Sequence, residues 1–281
     1  MTGNASTASS LTSADYDAFR RFLEEASGIV LGDNKHYLVT SRLTRLMREQ
    51  GISSFAALMQ RIRADSRLRN SIMDAMTTNE TSWFRDSYPF DILKEELLPE
   101  YAKKQARQVR IWSAASSTGQ EPYSLSMVVS EYLQKRPGSL PANGVQILAT
   151  DISPTVLEQA RKGVYEGVAV ARGLSEERKR RFFTQTGEGW RVKDDIRGRV
   201  SFRELNLMQS YAALGKFDII YCRNVLIYFS ADLKRDILSR MARALNPGGY
   251  LVLGGSESIT SYSDDFQLVR WRNGVIYRLQ T

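Results

Sequence analysis

From residue 109 onward, short apolar runs alternate with amphipathic stretches, and this alternation limits the folds that the chain can adopt. The runs VRIWSAA, VQILATD, FDIIYC and YLVLGG predict strands, and the segments EPYSLSMVVSEYLQ, SPTVLEQARKG and ADLKRDILSRMARAL predict helices. Such alternation is typical of parallel strands joined by crossover helices that cover both faces of one sheet. FQLVRW and GVIYRLQ predict a closing hairpin. The sequence therefore predicts an α/β fold of the Rossmann-like class.

Several segments depart from this alternation. Residues 13–78 contain four amphipathic helical patterns, which predict a small helical domain. Residues 181–205 contain three β-rich runs separated by GEG and RG, which predict a small antiparallel β-subdomain inserted into the α/β domain. Residues 1–12 predict a disordered tail and residues 79–89 a linker. The α/β domain is predicted to cover residues 90–281.

Composition excludes several kinds of site. The single cysteine, Cys222, and the single histidine, His36, cannot form an internal disulfide or a His/Cys zinc site, and we predict no metal ion. A signal peptide pattern and an apolar run of about 20 residues are both missing, which predicts a cytoplasmic protein without a membrane insertion. Lys and Arg outnumber Asp and Glu by 39 to 31, and the net charge of +8 favours an acidic partner.

The loop after the first strand, AASSTGQEP, predicts a ligand other than a phosphate. It contains one glycine, Gly119, and no lysine, whereas phosphate-binding loops usually contain several glycines and a lysine. Glu121 at the start of the next helix would repel a pyrophosphate and attract an ammonium group. Asp151 ends the second strand, where a carboxylate can accept hydrogen bonds from both hydroxyls of a ribose. A ribose, a cationic amino group and no phosphate together fit S-adenosylmethionine (SAM).

These residues also have simpler interpretations. Glu121 and Asp151 could complement the dipoles of the helices that follow them, and Asp151 could cap its helix. Asn206 could read the adenine edge while Leu207 packs on its face, or the pair could be a loop amide and a core leucine. The segment LNPGGYLVLGG is common in SAM-dependent methyltransferases, but the same turn can connect any helix to a strand.

Five motifs, taken in order, resemble those of the chemotaxis receptor methyltransferases (the CheR family). They are TTNETSWFRD, WSAASSTGQEPYSL, ATDIS, CRNVLIYF and LNPGGYLVLGGSES, and the resemblance extends from about Phe19 to Tyr277. It implies a SAM-dependent methyltransferase fold with an N-terminal helical domain and an inserted β-subdomain. The implied enzyme is a protein-glutamate O-methyltransferase that forms methyl esters on chemoreceptor cytoplasmic domains and releases S-adenosylhomocysteine. It also implies a cytoplasmic monomer that is recruited to membrane-bound receptor arrays.

The resemblance assigns site residues at the positions that match the motifs. The residues implied to bind SAM are Asn79, Thr81, Arg85, Glu121, Asp151, Asn206, Leu207, Asn224 and Val225. Arg85 and Tyr228 are implied to lie nearest the transferred methyl group, and we expect them to be the catalytic residues. Gln120 replaces a glutamate found in many relatives, and we expect little effect because Glu121 is retained. A substrate glutamate, with a pKa of about 4.3, is already ionised at neutral pH and needs no general base.

The helical domain carries an arginine-rich face. Arg42, Arg45 and Arg48 recur at helical spacing, a pattern that is usually a solvated face. The resemblance implies instead that this helix docks on the acidic methylation region of a receptor. In some relatives the β-subdomain binds a receptor C-terminal tail by adding a strand, and the sequence leaves that open here.

Two other functions compete with this interpretation. A nucleic-acid methyltransferase would suit the basic charge. However, base-amine enzymes usually carry a Pro-Pro-aromatic motif after the fourth strand, and cytosine carbon-5 enzymes use a Pro-Cys nucleophile. CRNVLIYF has neither, because Cys222 follows Tyr221, so we predict no nucleic-acid partner. A non-catalytic SAM-binding adaptor is the second alternative, and the complete set of matched residues argues against it.

Overall fold

The computed structural model describes residues 11–272 and 274–280, which form two compact units. One unit contains the described residues up to Thr78 together with Tyr228–Ser230, and the other contains Asn79–Ile227 and the described residues from Ala231 onward. Most of the tail predicted for residues 1–12 lies outside the described residues. Thr12, which was assigned to that tail, forms the N-cap of the first helix with a capping box.

Within the described residues, the first unit is a bundle of four helices. They are α1 (Ser13–Ser27), α2 (His36–Glu49), α3 (Phe55–Ala64) and α4 (Ser66–Met76). Each helix buries one apolar stripe, and Phe19, Leu43 and Leu58 are fully buried where the stripes meet. Burial of these stripes is what stabilises helices too short to be stable alone. The predicted helical domain is confirmed.

The described part of the second unit contains a seven-stranded sheet and a three-stranded sheet. In chain order the strands are β1 (Val109–Ala114), β2 (Val145–Asp151), β3 (Val164–Tyr165), β4 (Phe183–Thr186), β5 (Gly189–Val192), β6 (Val200–Glu204), β7 (Phe217–Cys222), β8 (Leu245–Leu253), β9 (Phe266–Trp271) and β10 (Gly274–Leu279). The large sheet has the order β6-β2-β1-β7-β8-β10-β9, with β10 antiparallel to both of its neighbours. The order reverses at β1, so the carboxyl ends of β1 and β7 form the switch point where such sheets bind ligands.

Helices precede, connect and cover these strands, as the alternation predicted. They are α5 (Tyr88–Ile92), α6 (Leu98–Lys103), α7 (Gln120–Lys135), α8 (Pro154–Lys162), α9 (Gly167–Ala171), α10 (Glu176–Phe182), α11 (Asp194–Arg197) and α12 (Ala231–Ala244). A π-helical turn over Leu93–Leu97 joins α5 to α6. The Rossmann-like α/β fold is therefore confirmed.

The inserted β-subdomain differs from the prediction in one strand. The small sheet is antiparallel, as expected, but its order is β3-β5-β4. The third run predicted for it, Val200–Glu204, instead pairs parallel with β2 at the edge of the large sheet. Val200 and Phe202 pack against the core there, and such tertiary contacts decide which sheet a β-rich run joins. Strand β3 has only two residues, Val164 and Tyr165, too few to show a period in the sequence.

The NPGG segment is a bulge within β8 rather than a turn before it. Phe217 pairs with Leu245 and Ile219 pairs with Tyr250, so two steps along β7 match five along β8. Gly248 accommodates the bulge with a φ of +69°. The strand therefore begins at Leu245, earlier than the sequence predicted.

A buried ion cluster joins α7, α10 and the π-helical turn. The Glu131 carboxylate is 6% exposed and accepts from Lys94 Nζ at 2.6 Å and from Arg178 Nε at 2.7 Å. The Arg178 guanidinium also lies over the Phe84 ring, 3.8 Å from its centre. Burial raises the pKa of Glu131, but the two cations more than offset this, and the pKa lies below its ordinary value of 4.5.

Replacing this carboxylate should destabilise the fold in a pH-dependent way. We expect Glu131→Gln to lower the free energy of unfolding by about 3 kcal/mol at neutral pH, because both cations lose their buried partner. The folded-state pKa is depressed, so the stabilisation is complete above pH 4.5 and is lost as the pH falls through the folded value. Urea unfolding at neutral pH and near pH 4 should give a smaller difference at the lower pH. An equal difference at both would contradict the assignment.

Candidate active site at the switch point

The loop between β1 and α7 is fixed by backbone conformations that few side chains adopt. Ala115, Ser117 and Gly119 have φ values of +58°, +49° and +96°. A Cβ atom at Gly119 would lie 3.0 Å from both the Ala160 Cβ and the Tyr165 hydroxyl oxygen, so glycine is required. The single glycine of this loop therefore serves its close packing, and the resulting turn directs the Ser117 N–H toward β2.

Asp151 lies at the end of β2, beside this loop. Its Oδ2 accepts from the Ser117 N–H at 2.8 Å and its Oδ1 from the Ser153 N–H at 3.0 Å. The Ser117 hydroxyl donates to the Asn79 carbonyl at 3.0 Å, so two predicted cofactor residues meet at one loop residue. Both oxygens of this buried carboxylate therefore accept from backbone donors, and a carboxylate can also accept hydrogen bonds from ribose hydroxyls.

Asn206 and Leu207 follow β6 next to Asp151. The Leu205 N–H donates to the Asp151 carbonyl at 2.9 Å, which brings the segment to the same edge of the sheet. Asn206 Oδ1 accepts from the Met208 N–H at 3.0 Å, so its carbonyl oxygen stabilises a local turn. Leu207 is 7% exposed. The structure thus places the segment of Asn206 and Leu207 at the same sheet edge as Asp151.

Asn224 and Val225 follow β7 and are held by Glu257, which was not among the predicted site residues. Their N–H groups donate to the Glu257 carboxylate at 2.6 Å and 3.1 Å, and the Gly254 N–H donates to it at 2.9 Å. Asn224 adopts a φ of +58°, which this cradle of three donors stabilises. The signal available in the sequence was an acid two residues beyond the glycines that follow β8, in GGSES.

The segment 79–89, predicted as a linker, packs into the α/β unit. Trp83 is 1% exposed, and its indole N–H donates to the Ala169 carbonyl at 3.0 Å. Its ring meets Tyr165 and Phe183 edge-on, with ring centres 4.9 Å and 5.1 Å away. Trp83 and the neighbouring Phe84, which is 7% exposed, are therefore core residues.

The same segment has an unusual backbone around Arg85. Phe84, Asp86 and Ser87 are non-glycine residues with φ values of +49°, +67° and +50°. Conformations of this kind cost on the order of 1 kcal/mol or more each and are found mainly where function requires them. Arg85 and Thr81 are partly exposed, and Arg85 Nη1 donates to the Glu80 carbonyl at 3.1 Å.

Arg223, which directly follows β7, was not among the predicted site residues. Its Nη1 donates to Glu121 Oε2 at 2.8 Å, and its Nη2 donates to the Asp86 carboxylate at 2.7 Å and to the Arg85 carbonyl at 2.8 Å. Burial lowers the pKa of Arg223, but Glu121 and Asp86 more than offset this and raise it. Two carboxylates with one guanidinium leave a net negative charge near Glu121. That charge suits a cationic ligand group.

The state of Cys222 bears on the competing nucleic-acid function. Cys222 is fully buried in β7, and burial raises the pKa of its thiol well above the ordinary value, which disfavours a thiolate nucleophile. Among the described residues, no His, Cys, Asp and Glu side chains cluster in a way that could hold a metal ion. None of the described helices is both long and apolar enough to cross a membrane.

The remaining predicted residues belong to the first unit. Tyr228 ends a 3₁₀ turn, and its carbonyl accepts from the Val30 N–H at 2.9 Å. Arg42 Nη1 donates to the Met76 and Thr77 carbonyls at 2.7 Å and 3.2 Å. Its guanidinium therefore caps the C-terminus of α4. This role inside the fold was not predicted.

Arg45 and Arg48 differ from Arg42 in their surroundings. Both are exposed, and Arg45 Nε pairs with Glu49 Oε1 at 2.7 Å on the same helix. Such exposed pairs contribute little to stability, so these side chains can exchange partners at low cost.

Known proteins that are similar in sequence to this chain over nearly its full length belong to one family. Residues 14–77 match the family model "CheR methyltransferase, all-alpha domain", and residues 79–275 match "CheR methyltransferase, SAM binding domain". Chemotaxis protein methyltransferase 1 of Pseudomonas aeruginosa is 56% identical over 272 residues, covering 96% of this chain and 99% of that protein. Chemotaxis protein methyltransferase 1 of Vibrio cholerae is 53% identical over 277 residues, covering 98% and 100%. The chemotaxis protein methyltransferase of Escherichia coli is 33% identical over 275 residues, covering 96% and 92%.

Proposed function

Because the chain belongs to the CheR methyltransferase family, we propose that it transfers a methyl group from SAM to glutamate side chains of chemoreceptor cytoplasmic domains. The chain is a SAM-dependent methyltransferase of chemotaxis, and the predictions of family, enzyme class and cofactor are confirmed. The observation that carries the substrate proposal is 56% identity, over nearly the full length of both chains, to a chemotaxis protein methyltransferase. We further propose that the enzyme acts as a cytoplasmic monomer at membrane-bound receptor arrays.

The residues at the switch point fit SAM. Asp151 offers a buried carboxylate for the ribose hydroxyls, and Asn206, proposed to bind the adenine, follows Leu205, whose N–H donates to the Asp151 carbonyl. Glu121 belongs to a cluster of net negative charge, which suits the α-ammonium group. When bound, SAM supplies an electrophilic methyl group on a sulfonium. Thr81, Asn224 and the other matched positions are proposed to complete the site.

The reaction requires the protein mainly to align the reacting atoms. The substrate carboxylate is ionised at neutral pH, so its oxygen can form the new bond to carbon as the carbon–sulfur bond breaks, with no proton transferred. The enzyme must hold oxygen, carbon and sulfur in line and offset the desolvation of the charges. We assign these tasks to Arg85 and Tyr228, on the strength of the motif match.

The test of this function compares substrates of different classes. Purified protein with methyl-labelled SAM should label a receptor cytoplasmic fragment, and mild base should release the label, as expected for a glutamate methyl ester. Label on RNA or DNA would favour a nucleic-acid enzyme instead. Binding of SAM without transfer to any of these substrates would favour an adaptor.

We propose that the exposed arginines of α2 dock on the acidic methylation region of the receptor. Positive charges at the rim of an interface mainly accelerate association, and their effect falls with ionic strength. Arg45 and Arg48 are available for this role, whereas Arg42 is also needed inside the helical unit. A test that replaces Arg42 would confuse docking with folding.

Reversing the charge of these two arginines should therefore affect the receptor and spare the cofactor. We expect Arg45→Glu/Arg48→Glu to raise KM for the receptor fragment about tenfold at low salt, with a smaller effect at high salt. The affinity for S-adenosylhomocysteine, measured by calorimetry, should not change. Lys135→Glu/Arg136→Glu, an equal charge change on exposed residues at the C-terminal end of α7, is the control. Equal receptor KM values for the two double variants would reject this docking face.

A further inference from the structure

The strained turn that carries Arg85 is held by contacts from distant parts of the α/β unit. The Phe84 N–H donates to the Ser124 hydroxyl at 3.2 Å on one side of the turn. Tyr88, on the other side, donates through its hydroxyl to the Leu253 carbonyl at 3.1 Å. Between these points, Arg223 donates to the Arg85 carbonyl and to the Asp86 carboxylate from outside the turn. Strain of this kind persists only when the surroundings enforce it.

Only a guanidinium has the shape that these contacts require. Nη1 of Arg223 points to Glu121 on α7, while Nη2 points to Asp86 and to the carbonyl of Arg85. A lysine ammonium is a compact charge on a single atom and would have to choose between the two sides. The Arg223 side chain is 2% exposed, so water does not readily replace a lost contact.

The orientation of Arg223 is maintained at a cost. Its Nε is buried and has no hydrogen-bond partner among the described residues, although a buried unpaired donor is unfavourable. The side chain therefore uses its two terminal nitrogens for Glu121 and the Arg85 turn instead of satisfying all of its donors. This arrangement is expected if the function of Arg223 is to link Glu121 to the Arg85 turn.

We propose that Arg223 is a positioning residue that couples the carboxylate of Glu121 to the backbone that presents Arg85. One end of this link lies at the residue assigned to the ammonium group of the cofactor. The other end lies at the residue assigned to the reacting methyl group. The proposal rests on the proposed function for the roles of Glu121 and Arg85, but the link itself is a property of the fold.

Two variants separate the ends of the link. Arg223→Lys keeps the positive charge but loses the two terminal nitrogens that donate to separate partners. The contacts to Glu121 and to the Arg85 turn should therefore both weaken. Asp86→Asn keeps Arg223 and its bond to Glu121 while removing the charge that holds the turn. Asp91→Asn removes an exposed carboxylate from the neighbouring helix α5 and is the matched control.

Three measurements then test the link. Trypsin should cleave after Arg85 about tenfold faster in Arg223→Lys and several-fold faster in Asp86→Asn, a tenfold change being the equivalent of about 1.4 kcal/mol. Arg223→Lys should bind S-adenosylhomocysteine about tenfold more weakly, whereas Asp86→Asn should bind it within about twofold of the wild type. The single-turnover rate of methyl transfer to a receptor fragment should nevertheless fall about fivefold in Asp86→Asn.

The outcomes distinguish this proposal from the proposed function. Wild-type cleavage rates after Arg85 in both variants would overturn the link. So would an Asp86→Asn variant whose turnover is unchanged, or falls only in step with its affinity for S-adenosylhomocysteine. If the wild type transfers no methyl group to the receptor, the substrate proposal fails, and cleavage and S-adenosylhomocysteine binding still decide whether Arg223 holds the turn. Should Arg223→Lys fail to fold, Asp86→Asn alone carries the test.

Discussion

Replacing Arg85 with alanine should lower the single-turnover rate of methyl transfer by about a hundredfold and weaken S-adenosylhomocysteine binding by less than about fivefold. A fixed cationic donor contributes most where charge is redistributed in the transition state. Because Arg85 is proposed to lie beside the methyl group, its loss should lower the transfer rate much more than the affinity. Arg85 is well placed to be preorganised, because its backbone is held in a strained turn and its carbonyl accepts from Arg223. The measurement is rapid-quench transfer from enzyme-bound labelled SAM to saturating receptor fragment.

The control for this prediction is Arg107→Ala, which removes an exposed arginine ahead of β1. Its rate should match that of the wild type. A rate for Arg85→Ala equal to that of the control would remove Arg85 from the chemical step. A rate and an affinity that fall together would mean that Arg85 serves binding alone. Tyr228→Phe should also lower the transfer rate more than the affinity, but by less than Arg85→Ala does, because only one hydroxyl is removed.

Asp151→Asn should weaken S-adenosylhomocysteine binding by about a hundredfold, or about 2.7 kcal/mol. Two effects combine in this loss. The amide accepts weaker hydrogen bonds from ribose hydroxyls than the carboxylate does. In addition, its NH₂ group would face the N–H of Ser117 or Ser153, which donate to the two carboxylate oxygens. Calorimetry with S-adenosylhomocysteine measures the affinity.

Thermal unfolding without ligand must accompany that measurement, since the same substitution disturbs the loop after β1. Asp264→Asn, at an exposed position between β8 and β9, is the matched control and should bind as the wild type does. A folded Asp151→Asn variant with unchanged affinity would remove Asp151 from the cofactor site.

Much of this site could be predicted because parallel strands end at one edge of a sheet. The sequence shows that a strand ends at Asp151, so this carboxylate could be placed at that edge, whereas Asn224 was assigned only through its match to a family motif. The same logic failed for Val200–Glu204, whose β-rich pattern is compatible with either sheet and whose place was decided by packing against the large core. The local pattern predicts only that a strand forms, and tertiary contacts decide which strand it pairs with.

The residues that hold the site together could not be predicted from local patterns. Arg223 meets Glu121 across 102 positions and Asp86 across 137 positions, and Glu257 reaches Asn224 across 33. Each of these bonds depends on the order of strands in the sheet and on positive φ values in turns without glycine. Neither property is visible in a single stretch of sequence. Arg42 illustrates the converse, because a helical spacing of arginines predicted a docking face where one member caps a neighbouring helix.

The central claim is that the acceptor is the side-chain carboxylate of a receptor glutamate, and mass spectrometry of the methylated receptor fragment tests it most directly. After incubation with the enzyme and SAM, peptides from the acidic methylation region should gain a single methyl group on glutamate. Mild base should remove that group, and Arg85→Ala should form it far more slowly. Base-stable methylation of another residue type, or an unmodified receptor beside methylated nucleic acid, would contradict the claim.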